Sequence, residues 1–378
     1  MRIANLPAAR KRAAAAARRL VAGEVVAVAP HGRGHIHETW LVTTSAGGST
    51  TRTVVQRLNG AVFPDPMLVA ATAARVATHQ HGRLAAARCP DAPRRALTVL
   101  AAHDGRPFVM DGDGACWRGF LYVEGAASLA PVRSPAGAAQ AAGVAARFLD
   151  ELSDLGGPPI TEAIPGFRDF RGRLAALDAV AGADPVGRGA GCGAAVEAVR
   201  AAATVVDEVD AARATGHLPE RTVHNDAKAD NVLADEATGE GLCMVDLDTV
   251  APGTVLADVG DLVRSTVAAV DEDDPEPPVA LRGDHLEAVL GAYLDGAGHL
   301  LVPTEVALLP LAGPLMAWEA ATRFLTDHLA GDVYFAVDRP GHNLDRARAQ
   351  LRLLDALVVA RPATADLVGR LAAARGLG

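Results

Sequence analysis

The first third of the chain alternates apolar and polar residues with a period of two, and the remainder changes to a helical period. "EVVAVAP", "HETWLVTT" and "TTRTVVQRL" read as strands, with "SAGGS" as the turn between the second and third, so an antiparallel sheet is expected. A helix over about 66–80 follows, then "RALTVLA", "PFVMD" and "CWRGFLYV" as further strands, with "HDGR" and "DGDG" as hairpin turns. Beyond Gly125 the spacing predicts helices at about 135–152, 167–180, 193–214, 284–294, 303–329 and 344–359, interrupted by strands only between 221 and 250. The expectation is an α+β chain of two lobes, a small antiparallel-sheet N-lobe over 1–124 and a larger, mainly helical C-lobe over 125–378. No repeat of solenoid period is visible.

Composition supports this division and narrows the partners. At 378 residues the chain exceeds the roughly 250 to 300 at which one hydrophobic core tends to split. Ala-rich runs such as "RKRAAAAARRL" favour helix, since Ala loses no side-chain entropy there. With 45 acidic against 36 basic residues, the net charge of −9 argues against general affinity for nucleic-acid phosphates and points to a small-molecule ligand. Cys89, Cys116, Cys192 and Cys243 are scattered without CxxC pairing, which suggests neither a disulfide framework nor a zinc ribbon and fits a reducing cytoplasm. The Arg-rich first 23 residues lack the apolar core of a secretory signal and read as an amphipathic helix. No window approaches the ~18 uninterrupted apolar residues of a membrane span. Oligomeric state leaves no mark.

One stretch concentrates the chemistry. "TVHNDAKADNVLAD", 222–235, packs His224, Asp226, Lys228 and Asn231 between two short apolar margins in the pattern H-x-D-x-K-x-x-N, and Asp246 closes the next apolar strand, "CMV". Asp226 can orient an acceptor hydroxyl and take its proton, and Lys228 lies near enough to touch a leaving phosphate as a point charge. Asn231 and Asp246 offer the hard oxygens that magnesium prefers. His224 braces the loop by hydrogen bonding. Asp248 is read either as a second metal or substrate contact or as a turn cap, and Asp258 and Asp261 as structural acids, the first at a helix start. The acidic "DEDDPEPPVALRGD" lacks the spacing of a calcium loop and reads as solvated.

On these motifs the chain resembles the aminoglycoside phosphotransferase and choline kinase superfamily, and within it the N-acetylhexosamine 1-kinases. "GRGHIHETW", "VVQRLNGAVFPDP", "YVEGAASL", "EAIPGFRDF", "HNDAKADNVL", "VDLDTVAPG", "ATRFLTDHLAGDVYF" and "HNLDRARAQLRLL" are similar to that group's blocks, in order. The resemblance implies a two-lobed protein-kinase-like fold, ATP, Mg2+, and transfer to the anomeric hydroxyl of N-acetylglucosamine or N-acetylgalactosamine. It makes Asp226 the base, Asn231 and Asp246 the magnesium ligands, and Arg323 and Tyr334 the lining of the sugar pocket. By its own sequence context Arg323 pairs equally well with Glu319 one helical turn earlier.

The nucleotide side carries fewer marks. Arg57, in "TVVQRL", takes the place where a small-lobe strand offers phosphate a cation, but the following helix has no acid to pair with it, which leaves Glu38 as a partner. Gly32 and Gly34 supply a phosphate loop without a full G-x-G-x-x-G, and the backbone at Glu124, in "YVEGA", reads as an interlobe hinge that meets adenine. His31, His35 and His37 do not follow the zincin helix pattern. Two rivals stand beside a sugar 1-kinase: a phosphotransferase for aminoglycosides, other sugars or amino alcohols, and a non-catalytic kinase-shaped module that binds a sugar or nucleotide.

Overall fold

The structure is a computed structural model, described here for residues 6–32, 36–269 and 279–377. The chain divides into two compact units. The first takes the chain up to Ala126 together with Asp154–Pro165 and Leu242–Ala251, and the second takes Ala127–Ser153, Gly166–Gly241 and the chain from Pro252 onward. The two returns of the chain to the first unit carry no signal in sequence composition.

In the first unit, α1 (Leu6–Leu20) precedes β1 (Glu24–Pro30), β2 (Glu38–Ala46) and β3 (Ser49–Arg57). Next come α2 (Pro66–Ala86), a single turn α3 (Ala92–Arg95), β4 (Val109–Met110) and β5 (Cys116–Leu121). The strands form one antiparallel sheet in the order β1-β2-β3-β5-β4. Trp40, Val42, Val55 and Trp117 pack from one face of this sheet against Ala9, Ala13 and Ala17 of α1, small residues that let the helix lie close. "RALTVLA" is not a strand: it leaves α3 in irregular backbone and touches the sheet through a single bridge, Val99 to Phe120. The second helix runs past the expected 80 to Ala86. Asp65 starts it, its carboxylate accepting from the Met67 and Leu68 amides.

The second unit is helical around short strands. In chain order it contains β6 (Ala126–Ser128), α4 (Pro135–Leu152), α5 (Phe170–Ala183), α6 (Gly193–Ala201), α7 (Thr204–Ala214), β7 (Arg221–Val223) and β8 (Val232–Asp235). After β9 (Gly241–Met244) and β10 (Ala251–Gly253) come α8 (Val255–Thr266), α9 (Gly283–Ala297), α10 (Pro303–Ala330) and α11 (His342–Ala373). The expected helix over 193–214 breaks at Ala202 and Ala203, and the last helix continues well past 359 through Pro362. Helix α10 is central, flanked by α5, α8 and α11. At Gly260 of α8 an added Cβ would overlap the Ala312 carbonyl and the Met316 side chain of α10, so only glycine lets these two helices cross at this spacing. That crossing places the first turns of α8 directly behind the loop after β7.

Among the described residues no helix is long and apolar enough to cross a membrane. The acidic stretch 270–278, Gly34 and His35 lie outside the described residues.

Candidate active site

The polar loop of the second unit is fixed from both sides. After β7 the chain turns at Asn225, whose φ of 62° is in the left-handed region that Asn tolerates better than most residues. The His224 and Asn225 amides both donate to the Asp258 carboxylate of α8, at 2.9 and 2.7 Å. Burial pushes the Asp258 carboxyl above its usual range, although His224 and these two amides oppose the shift. From the other side Arg168 donates to the Asn225 carbonyl, to Asp261 at 2.8 Å and to Glu319 at 2.5 Å. Gly253 of β10 leaves room for the turn, since a Cβ there would sit 2.7 Å from both the Asn225 Oδ1 and a Val223 methyl. Asp258 and Asp261 are thus structural, as expected, but as clamps on this loop. Arg168 was given no role from the sequence, although its segment, "EAIPGFRDF", is one of the blocks that carry the resemblance.

This scaffold presents alternate side chains outward. His224, Ala227 and Ala229 are fully buried, whereas Asp226 and Lys228 retain 21% and 33% exposure. Lys228 Nζ and Asn231 Nδ2 each donate to Asp226 Oδ2 at 2.8 Å. Among the described residues no donor occupies Asp226 Oδ1. One oxygen is therefore pinned and the other available to a ligand hydroxyl. Burial raises the Asp226 carboxyl, but Lys228, His224 and Arg168 outweigh it and hold it below the usual carboxylate range, so the group is ionised at neutral pH. Ser265 of α8 accepts from the Ala229 amide, and Ser128 donates to the Asp230 carbonyl, which fixes the far end of the loop.

A second group of charges lies in the same unit. Arg168, Arg173 and Arg323 converge on one buried carboxylate, Glu319. Arg168 has its close hydrogen bond, whereas Arg323 reaches Glu319 only at 3.7 Å, the helical pairing open from the sequence. The Arg323 guanidinium lies 5.2 to 5.4 Å from the ring centres of Phe167, Tyr334 and Phe335. Arg173 donates to the Phe167 carbonyl, and among the described residues it has no carboxylate partner within ion-pair distance. Burial and then repulsion from Arg323 push its charge state down. The segment bearing Tyr334 is ordered by Asp327, whose carboxylate accepts from the Val333, Tyr334 and Phe335 amides and from Asn343. This explains why "DHLAGDVYF" stands out: its Asp builds the loop, and Tyr334 is left 39% exposed beside Arg323.

In the first unit the turn after β9 carries Asp246, exposed and left-handed with φ 60°, and Asp248, 3% exposed. Both Asp248 oxygens are already engaged: Oδ2 is 2.6 Å from His37 Nε2, and Arg118 Nη1 donates to Oδ1. The Asn59 amide donates to His37 Nδ1, so the imidazole proton resides on Nε2 and is given to Asp248. Burial opposes the Asp248 charge, but Arg118 and His37 hold its carboxyl well below the usual range. Asp248, open in the sequence to a metal or substrate contact, is thus buried with each oxygen accepting from a protein donor.

Strand alternation decides which face of the sheet carries Arg57, the expected phosphate cation. Arg57 pairs with Glu38 at 3.3 Å, its direct cross-strand neighbour, which supplies the acid that α2 lacks. Both project from the face that bears Trp40, Val55 and Trp117, the face covered by α1. The opposite face, which meets the Asp248 turn, presents Thr39, Gln56 and Arg118. Gly32 has a positive φ of 73° in the β1–β2 loop, and the Glu124 carboxylate pairs with Arg52, which lies over the Tyr122 ring.

Asn231 spends its amide protons on Asp226, which turns its oxygen away, and Asp246 adds an exposed carboxylate. Each unit thus carries one of the two expected magnesium ligands, and no cluster of three or more His, Cys, Asp or Glu able to hold a metal is present among the described residues.

Comparison with known proteins gives this geometry a context. The profile of the phosphotransferase enzyme family, APH, matches residues 27–307. An aminoglycoside phosphotransferase from Alicyclobacillus acidocaldarius subsp. acidocaldarius DSM 446 is 15% identical, covering 94% of this chain and 95% of that one, with a TM-score of 0.55. A microcompartment-associated aminopropanol kinase is 16% identical over 94% and 98%, with a TM-score of 0.52. A choline/ethanolamine kinase family protein from Mesorhizobium loti is 18% identical over 96% and 98%, also at 0.52. At these identities the likeness is one of fold, and the fold is the kinase-like α+β one.

Proposed function

The chain belongs to the phosphotransferase enzyme family, and from that premise we propose that it transfers the γ-phosphoryl group of ATP to the anomeric hydroxyl of an N-acetylhexosamine, N-acetylglucosamine or N-acetylgalactosamine. Asp226 acts as the base: Oδ2 is fixed by Lys228 and Asn231, and Oδ1 takes the acceptor hydroxyl proton. An anomeric hydroxyl is more acidic than an ordinary alcohol, so a carboxylate of low basicity suffices. Lys228 offers its ammonium to phosphate oxygens. Asn231 and Asp246 would hold magnesium, which supplies charge neutralisation of the triphosphate when bound. The protein's own contribution is positioning and a fixed charge arrangement, not covalent chemistry.

The observation that carries the choice of acceptor is the cationic lining around Arg323. Aminopropanol, ethanolamine and aminoglycosides bring ammonium groups, which call for carboxylates. Here, among the described residues, one carboxylate, Glu319, is shared by Arg168 at hydrogen-bond distance, Arg323 at 3.7 Å and Arg173 beyond ion-pair distance. An ammonium about 4 Å from one uncompensated guanidinium is repelled by roughly 4 kcal/mol at an effective dielectric constant near 20. Acetylation removes that charge and offers a carbonyl oxygen to which a guanidinium can donate.

Labelled ATP offered with N-acetylglucosamine, N-acetylgalactosamine, glucosamine, ethanolamine and kanamycin tests this. The expected product is an acid-labile sugar 1-phosphate from the N-acetylated sugars alone, and Arg323→Met raises the sugar KM about 100-fold while the ATP KM stays within twofold. Turnover of kanamycin or ethanolamine, with none of the N-acetylated sugars, would overturn the assignment.

A further inference from the structure

The surroundings of the Asp246 turn assign a role to a residue that no motif singles out. Arg118 enters from β5, with 1% of its side chain exposed, on the sheet face opposite α1. Its Nε donates to Gln56 Oε1 at 2.9 Å, and Gln56 is its direct neighbour on β3. Its Nη1 donates to Asp248, two residues beyond Asp246. Gln56 in turn donates to Thr39 of β2 at 3.2 Å. Three strands thus hold one guanidinium in a fixed orientation, and that guanidinium holds the turn.

The same turn is tied to the end of the β1–β2 loop. His37 donates to the second Asp248 oxygen, stacks on Phe63 with ring centres 5.2 Å apart, and is itself held by the Asn59 amide. Helix α2 packs against the turn from outside. Asp246 sits at φ 60°, in the left-handed region that Asp tolerates better than most residues. Asp248, two residues on, is held at both oxygens.

We propose that Arg118 is the positioning cation of the first unit: through Asp248 it sets the backbone on which Asp246 meets the metal, and with His37 it links that turn to the loop before β2. The inference rests on the reading of Asp246 as a magnesium ligand. Arg57, on the α1 face and paired with Glu38, has no part in it. Arg118 does not touch the reacting atoms. It acts through Asp248.

Binding of a non-hydrolysable ATP analogue, measured calorimetrically with and without Mg2+ and with no acceptor present, separates this from the choice of acceptor. In the wild-type chain Mg2+ strengthens analogue binding. Arg118→Met is expected to reduce that enhancement at least tenfold while metal-free affinity stays within threefold. Arg118→Lys, which keeps the charge beside Asp248 and loses the Gln56 bond, restores part of it. Should Arg118→Met not accumulate as folded protein, Arg118→Lys and His37→Gln must each show a partial loss. An enhancement unchanged in the folded Arg118 variants overturns the proposal. So does a wild-type chain whose analogue binding ignores Mg2+. Failure to phosphorylate any sugar would leave the calorimetric result standing and would count against the acceptor assignment alone.

Discussion

Asp258→Ala removes a carboxylate that accepts from two consecutive buried amides. His224 is fully buried and Asn225 3% exposed, so neither N–H gains water when the carboxylate is lost. An unsatisfied buried donor costs about 1–3 kcal/mol, which gives ~2–6 for the pair. Deleting a desolvated carboxylate returns part of this, since burial already pushes the Asp258 proton affinity up. A net loss of about 3 kcal/mol is expected for the unit that contains the loop. Urea unfolding reads the loss, and amide exchange at 224 and 225 reads its location, because those two amides should lose protection before the helices around them. Asp258→Asn keeps one acceptor and aims its own amide protons at the second N–H, so it recovers no more than half. Turnover should fall about 100-fold in Asp258→Ala, as Asp226 follows directly from the loosened turn and small displacements of a positioned group have effects of that order. A variant within 1 kcal/mol of wild type, with both amides still protected, would refute the clamp.

Two further substitutions test the scaffold. Gly260→Ala would gain up to about 1 kcal/mol in an exposed helix but here collides with the Ala312 carbonyl, and overpacking of ~1–3 kcal/mol or more should dominate, visible as a lower urea midpoint. Asp248→Asn leaves Arg118 buried without its charge partner, at a cost of ~3–5 kcal/mol at neutral pH. Because the folded Asp248 carboxyl lies below its ordinary value of 3.8, its contribution is complete above that pH and disappears as pH falls through the folded value. The wild-type advantage over Asp248→Asn should therefore be constant from pH 7 to 5 and shrink in the acid limb. A gap that widened with acid would contradict the pairing.

Local patterns made some elements visible before any coordinates. The period of two fixed β1 to β3, and Ser134 followed by Pro135 marks the start of α4, whose end at Leu152 was also readable. Of helix α8 only the start, at Asp258, was expected; its extent was not, and its polar residues Asp258 and Asp261 are buried with the apolar ones because they serve the loop beside them. The motif H-x-D-x-K-x-x-N brought together Asp226, Lys228 and Asn231, since short spacing on a single loop leaves few geometries open. What lay outside its reach depends on distant segments. Whether Arg57 or Gln56 faces the Asp246 turn is decided by which side of the sheet α1 covers, and a strand read alone gives alternation without saying which side is which. Arg118, Arg168 and Arg173 take their meaning from Asp248, Asn225 and Glu319, partners 130, 57 and over a hundred residues away.

The central claim is that Asp226, with one oxygen pinned and one open, carries the proton from acceptor to enzyme. Single-turnover transfer from labelled ATP to N-acetylglucosamine, compared between the wild-type chain and Asp226→Asn, measures it most directly. A fall of about 1,000-fold or more in the transfer rate, with ATP affinity within threefold, is the predicted result. Transfer by Asp226→Asn within tenfold of wild type would contradict it.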